Sequence, residues 1–504
     1  ISFQEAGNNG LQPLRQPNMR IARTTVLCMV ATLVNLGLWF AWSNCPFEPL
    51  DLSKSALDLS LLQSSVPNWT ATASSPTPSP QPNPTPSNLS AYPSKDQELA
   101  PTPFASELPE ALFLYAQWHA TARNNPKSKF LIFEGLMENG LGNNLLSFVS
   151  TALLAWATER VLIVSPPAAK RWGHIFGPDH GVDWLSFPDH LRSVEFNLAK
   201  TEIWDLSHRA RNDPKYFFHI LCGDVVLLSQ SSQNVVRIRS DQYFASIIAA
   251  TTNKVLKSRF DTAFGKVRSR LFGVLLTFFV KPHVAIVREA RRQMQWFHGA
   301  SEQKNRVVGV QMRTFPGSQD HLFRQGLIEI QQRQDTFFAC ARAAAEALQA
   351  QMPASDDWKV LVATDHAPLL DSARVALGWD RVRDISLEHL PDLQQTRDGH
   401  ALLTIVMLSM ADALVVTAGS TFGNVAHGLA NLRPFSVFGQ GQGSCMQEPT
   451  SEPIFHLMTA ATPKCDNQAL RTDPHLLPAW RWADLAFEGR PLHKLFVMNP
   501  PKKC

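Results

Sequence analysis

Five short runs of branched and aromatic residues recur along the chain: Phe130 to Glu134, Arg160 to Ser165, Arg306 to Met312, Lys359 to Thr364 and Ala413 to Thr417. Each is closed by Gly, Pro, Asp or Ser and followed by a helical pattern. Runs this short and this apolar predict strands buried on both faces, and their alternation with amphipathic segments predicts parallel α/β layers. The globular texture extends from about Ala111 to Lys494, room for two such layers. The apolar run Leu271 to Val280 is half a membrane span and is flanked by Arg268, Arg270 and Lys281, so a core or interdomain helix is expected there.

What precedes the layers is different in kind. Thr24 to Trp42 is apolar and uncharged, about the length of a spanning helix, with Arg15, Arg20 and Arg23 before it and Glu48 and Asp51 after it. The positive-inside rule then expects a single-pass anchor with residues 1–23 in the cytoplasm and the rest in the lumen; a cleaved signal peptide is the alternative. Residues 43–110 are rich in Ser, Thr and Pro, with prolines on alternate positions from Pro76 to Pro86. Such a segment cannot bury a core, and is expected to be an extended stem. It carries two glycosylation triplets, at Asn68 and Asn88.

Charge narrows the field further. Forty-seven Lys and Arg against 43 Asp and Glu leave a net charge of +4 over 504 residues, well short of the basic face that nucleic-acid binding needs. Seven cysteines lie scattered without the close pairs of a structural metal site. In an oxidising lumen Cys445 and Cys465 are the expected disulfide, with two buried thiols as the alternative.

Three segments have the chemistry of an anion site. Glu138-Asn139-Gly140-Leu141-Gly142-Asn143-Asn144 lies between a strand and a helix expected to begin near Leu145; its glycines let backbone amides approach a phosphate or sugar, although tight turns need glycine in any case. The buried run Val307 to Thr314 delivers Arg313 beyond a strand's carboxyl end, where a guanidinium can grip a pyrophosphate or simply form a structural ion pair. Ser420-Thr421-Phe422-Gly423 opens a helix after the strand at Ala413, as an anion cradle or as an ordinary cap. Asp365, after the strand at Lys359, suits either nucleobase reading or capping of the next turn. No Asp-x-Asp triplet occurs, so charge on a departing diphosphate falls to Arg313 and backbone amides.

Taken in order, these segments resemble the plant xyloglucan fucosyltransferase family, the cell-wall galactoside 2-alpha-L-fucosyltransferases. The resemblance runs from about Phe130 to Cys465 and includes Asn139 to Asn143, Ser240-Asp241-Gln242-Tyr243-Phe244, the strand from Gly309, the run from Leu408, the turn at Ser420, and the stretch from Cys445 through Glu452-Pro453 and His456. It implies a GT-B α/β fold of two Rossmann-like lobes, an acceptor-side lobe at 111–300 and a lobe binding the GDP-sugar at 301–504. It also implies a type II Golgi membrane protein that makes no use of a metal. Its reaction would be inverting transfer of fucose from GDP-fucose to O2 of a galactose-containing cell-wall glycan. Carried over by position, Arg313 would bind the pyrophosphate, Ser420 to Gly423 would hold GDP, and Gly140 to Asn143 would complete the cleft. Whether the protein forms a homodimer is left open.

The chain departs from the family at Asn144, where an Arg is usual, at Gly419 and Asn424, where aromatic residues are usual, and at Ile454, where a cysteine is usual. Asn144 is expected to remove one cation from the site. An inverting transfer needs a base for the acceptor hydroxyl; Asp241 is the first candidate, followed by Glu138 and His456. The alternatives are a fucosyltransferase with another acceptor, such as arabinogalactan or a protein hydroxyl, and a glycan-binding pseudoenzyme.

Overall fold

The four residues Phe130–Phe133 and the four residues Val161–Val164 pair in parallel, Phe130 opposite Val161, and every side chain of both is buried. Continuous apolar runs pair this way because both faces are covered. The alternation is visible in the packing: Leu131, Phe133, Leu162 and Val164 enter the main core, while Phe130, Ile132, Val161 and Ile163 enter a small one on the opposite face.

The computed structural model describes residues 107–136, 138–177, 182–191, 201–206, 233–249, 253–298, 305–313, 321–351, 357–385, 396–438 and 444–453. They belong to a unit spanning Pro93–Met498; Ile1–Tyr92 with Asn499–Cys504 form another. The expected anchor, the stem as far as residue 106, His456 and Cys465 lie outside the described residues. Among the described residues no helix is long and apolar enough to cross a membrane.

The strands are β1 (Phe130–Phe133), β2 (Val161–Val164), β3 (Phe176–Gly177), β4 (Glu202–Asp205), β5 (Val235–Arg239), β6 (Lys281–Pro282), β7 (Arg306–Met312), β8 (Trp358–Thr364), β9 (Val382–Arg383), β10 (Ala413–Thr417), β11 (Phe435–Phe438) and β12 (Ser444–Gln447). The helices are α1 (Glu110–Ala122), α2 (Leu141–Ala157), α3 (Pro166–Trp172), α4 (Ala245–Ala249), α5 (Lys254–Phe264), α6 (Leu271–Phe279), α7 (Val284–His298), α8 (His321–Gln351), α9 (Ala367–Leu377), α10 (Arg397–Ser409) and α11 (Thr421–Ala430). Two sheets result. The first has the order β2-β1-β5-β4 and is parallel throughout. The second has the order β12-β11-β10-β7-β8-β9 and is parallel except where β12 returns along β11. A short antiparallel pair, β3 with β6, stands apart.

The largest core is shared by both sheets. It takes the apolar faces of α2, α6, α7, α10 and α11 together with Leu131 and Val164 from one sheet and Val307, Leu361 and Val416 from the other. The expected core helix at Leu271 to Val280 is α6, whose side chains are almost all buried there. The far face of the second sheet is covered by α8 and α9.

Two expectations are corrected. The helix after β1 begins at Leu141, not near Leu145, so Leu141 to Asn144 form its first turn. The reason lies in Asn144, whose buried amide accepts from Leu136 N at 2.9 Å and donates to the carbonyls of Leu136, Asn139 and Gly140, folding the preceding loop back on the helix start. The disulfide joins Cys445 to Cys340, with 5.7 Å between the α-carbons, instead of to Cys465. Helix α8 crosses the far face of the second sheet, and its Cys340 enters the core against which Cys445 of β12 packs. Proximity was set by the sheet crossover, at a separation of 105 residues, and not by nearness in sequence.

Candidate functional site

Ligands of open α/β sheets bind beyond the carboxyl ends of strands at a reversal of the strand order. In the second sheet it falls between β7 and β10. Strand β7 ends by delivering Arg313, and β10 ends at Thr417, whose hydroxyl donates to Gln311 O (3.2 Å) and accepts from Arg313 N (3.0 Å). Gln311 is buried, and its side-chain oxygen accepts from Thr417 N at 3.3 Å. The backbone carrying Arg313 is thereby locked to β10. The guanidinium, one-third exposed, is held by Asp365, with Nη1 and Oδ2 2.9 Å apart. Asp365 does not cap α9, whose N-cap is His366.

After β10 the chain turns through Gly419 at φ 77°, a left-handed conformation that an aromatic residue would adopt only at a cost. Ser420 is the N-cap of α11, yet neither its hydroxyl nor, among the described residues, any other side chain caps the first turn. Thr421 and Phe422 follow half-buried, and Gly423 lies against β10, where an added Cβ would come within 3.1 Å of Val416 and of the Gln311 amide oxygen.

The turn after β1 meets this one. Gly140 is the N-cap of α2, again without a side-chain cap, and Gly142 in the first turn lies so near α11 that a Cβ there would stand 2.9 Å from the carbonyl carbon and hydroxyl of Thr421. Two helix starts therefore abut beside Arg313. The first amides of a helix have no partner within it, and the aligned peptides give that end a partial positive charge. Asn143 is half-buried in the first turn of α2, where its carbonyl accepts from Ser147 (3.0 Å).

Asp241 is 2% exposed; it accepts from Asn139 Nδ2 at 3.5 Å and from Gln242 Nε2 at 2.6 Å, which places it against the turn that opens α2. Glu138 stands exposed at the tip of that turn. The structure thus gathers Asn139, Gly140, Gly142, Asp241 and Thr421 in one neighbourhood, with Arg313 and Asp365 at the adjoining strand end. His456 lies outside the described residues.

Asn144 is not an empty place in the site. Its side chain points into the protein, 0% exposed, and pins the turn. A guanidinium does reach that turn from elsewhere: Arg171 of α3 donates to Asn139 O (3.4 Å) and forms a two-pronged ion pair with Asp398 in the first turn of α10, one bond measuring 2.6 Å. No local pattern signals a pair 227 residues apart.

A second buried network joins the helix start of α11 to the Asp241 segment. His427 of α11 contacts Ser451 O through Nδ1 (3.0 Å) and the Asn424 amide through Nε2 (3.2 Å). Burial lowers the ring's pKa to about 3, so it is neutral; a ring donating to the carbonyl has only an acceptor at Nε2, which selects the Asn424 NH2 as its partner. Beside Ser451, Glu452 accepts from Tyr243 OH (2.6 Å), Ser246 Oγ (3.1 Å) and Phe272 N (2.7 Å). Desolvation nevertheless raises its pKa to about 7. Among the described residues no group of three or more His, Cys, Asp or Glu side chains is arranged to hold a metal ion.

No protein-family model matches the chain. Fucosyltransferase 6 of Arabidopsis thaliana is 25% identical over 378 residues, 67% of this chain and 64% of that protein. Galactoside 2-alpha-L-fucosyltransferase of the same plant is 25% identical over 364 residues, 63% of this chain and 62% of that protein, and its Pisum sativum namesake is 23% identical over 368 residues. The chain thus spans a little under two thirds of the length of these relatives. The fold is similar to that of an Arabidopsis thaliana FUT1 mutant solved with GDP, with a TM-score of 0.53 at 19% identity, covering 70% of this chain and 86% of that one. The curated relatives of this chain are therefore plant fucosyltransferases, galactoside 2-alpha-L-fucosyltransferases among them, at about 25% identity over most of its length.

Proposed function

We propose that the chain is a glycosyltransferase that moves fucose from GDP-fucose to a galactosyl hydroxyl, with inversion, in an α-1,2 linkage, and without a metal ion. The observation that carries this reading is the abutment of two side-chain-free helix starts at Gly142 and Thr421 beside Arg313. A diphosphate leaving group needs a charge sink, and two sets of amides with one guanidinium form one. Arg313 meets the diphosphate with the geometry that Asp365 gives it, and the Ser420 to Gly423 turn holds the GDP portion.

In the transfer, an acceptor hydroxyl oxygen forms a bond to C1 of fucose as the bond from C1 to the GDP oxygen breaks. The hydroxyl proton goes to a base on the acceptor side, and the bonding electrons leave with GDP. Asp241 is the base in this reading because it borders the α2 turn from the first sheet; Glu138 and His456 follow it. Thr24 to Trp42 anchors the chain in the Golgi membrane as a type II protein, with residues 43–110 as stem, 111–300 as the acceptor-side lobe and 301–504 as the donor lobe. The acceptor is a cell-wall glycan such as xyloglucan.

Titration calorimetry with GDP tests the donor half. Removing a charge-assisted contact costs about 1.5–3 kcal/mol, roughly 10- to 100-fold in affinity, so Arg313→Ala is expected to weaken GDP by that factor. An unchanged GDP affinity in the folded variant overturns the assignment.

A further inference from the structure

Asp241 follows β5 of the first sheet, and the first turn of α11 follows β10 of the second. A transfer between them needs a fixed spacing. The Asp241 segment is tethered to α2 through its backbone, where Ser150 Oγ accepts from Phe244 N (2.9 Å) and Ala245 N (3.1 Å). Within the segment Gln242 N donates to Ser240 Oγ at 3.1 Å and Gln242 Nε2 to the Asp241 carboxylate at 2.6 Å, so the run from Ser240 to Tyr243 is braced as one piece. Its second tether is Tyr243, whose hydroxyl reaches Glu452 beyond β12.

Glu452 is 3% exposed and serves three elements at once. Oε2 accepts from Tyr243 and Ser246, and Oε1 from Phe272 N in the first turn of α6, an amide with no partner inside its own helix. The Phe272 ring stands edge-on to Tyr243, with 5.4 Å between centroids, and occupies the place where a side chain on Gly428 of α11 would be. The carbonyl of the neighbouring Ser451 meets His427 of α11. One carboxylate and its neighbour therefore join the Asp241 segment, α6 and α11. Such a staple is a poor device for stability: three donors do not offset its desolvation, which leaves its pKa at about 7, and buried charges replaced by apolar side chains of similar volume often lose no stability. What it fixes is geometry, because Tyr243 is held by its ring and its hydroxyl together.

We propose that Glu452 is a positioning residue for the transfer, acting through Tyr243 to hold Asp241 at its distance from the α11 helix start. This rests on the transferase reading above, with Asp241 as its base, and adds a residue that acts at one remove from the reacting atoms. A misplaced base slows the chemical step. It leaves GDP, gripped by Arg313 and the helix starts, where it was.

The test is steady-state kinetics of the full chain with GDP-fucose and galactose-ended oligosaccharides, beside calorimetry with GDP. Tyr243→Phe, which removes one oxygen from a packed ring, and Glu452→Leu are each expected to lower kcat at least tenfold while the Kd for GDP stays within threefold. Tyr243→Phe decides alone where Glu452→Leu does not fold. In an Asp241→Asn background, Tyr243→Phe is expected to lower kcat less than threefold further, since a residue that acts through the base then has nothing left to position; a merely structural loss would multiply with the first. The proposal is overturned by a kcat within threefold of wild type in folded Tyr243→Phe, by GDP affinity that falls in step with kcat, or by losses that multiply in the double variant. A wild type that binds GDP and transfers nothing defeats the transferase reading and the proposal with it. Wild-type turnover that survives Asp241→Asn defeats the base assignment and again the proposal, but leaves the transferase reading standing.

Discussion

Gly142 has room for a hydrogen and nothing larger, because what faces it is mainly the Thr421 backbone and hydroxyl. A methyl there must push α2 from α11, since backbone cannot rotate aside as a long side chain can. Gly142→Ala is therefore expected to raise the KM for the sugar nucleotide several-fold or more, with a stability loss of about 1–3 kcal/mol from overpacking. Steady-state kinetics beside a urea melt checks this, and wild-type values for both would contradict the close approach. Sequence reading pointed to this glycine through the general permissiveness of the residue; the packing reason for it is visible only in three dimensions. The same holds for Asn144, which by its position reads as a lost cation and in the fold is the clamp of its own turn. A side chain's type was legible, whereas the direction in which it points depends on the neighbours that surround it.

Among elements, strands buried on both faces were the most legible: all five expected runs are strands of the two sheets. Strand β5 escaped because Arg237 and Arg239 interrupt its apolar pattern at every second place, and those arginines are there for Glu134 and Asp205. Strands β11 and β12 escaped as well. Their pairing brings Cys445 to the edge of the core that Cys340 of α8 enters, and the resulting disulfide closes a loop with a sequence separation of 105 residues. In the chain-entropy account, closing a loop of about 100 residues is worth roughly 4–5 kcal/mol. Cys340→Ala is expected to lower the urea stability by about 2–5 kcal/mol, and Cys465→Ala to leave Cys340 and Cys445 oxidised, as peptide mapping under non-reducing conditions would reveal. Mapping of Cys445 to Cys465 would instead restore the pairing expected from sequence.

The whole molecule carries its own pH signature. Burial pushes Glu448 and Glu452 from 4.5 to about 7, and it pulls His119 from 6.5 to about 4 and His427 from 6.5 to about 3. A carboxyl with a raised pKa contributes most below 4.5, and its contribution is lost as pH rises through 7. A histidine with a lowered pKa contributes above 6.5 and is lost as pH falls towards 4 and 3. Between about pH 4.5 and 6.5 the two glutamates hold extra protons in the folded chain, whereas His119 and His427, joined by His400, whose pKa burial also lowers, hold them in the unfolded chain, so the slopes largely oppose one another. Urea midpoints are expected to be level across that window and to fall from pH 6.5 to 8, with Glu452→Gln removing part of the fall. Midpoints that rise from pH 6.5 to 8 would contradict this. Glu452 belongs to a segment singled out in the sequence, but the shifted titration of all four groups is not legible there, because burial is a property of the assembled core. That shared core also keeps the helix starts of α2 and α11 together, which is where the functional account rests. Its central claim is tested most directly by incubating the full chain with GDP-fucose and neutral galactose-ended wall glycans in the presence of EDTA, and following GDP release and fucosylated product. The account predicts product with fucose on O2 of galactose and GDP in equal amount, lost in Arg313→Ala; GDP-fucose bound but never transferred to any acceptor would contradict it and favour a glycan-binding scaffold.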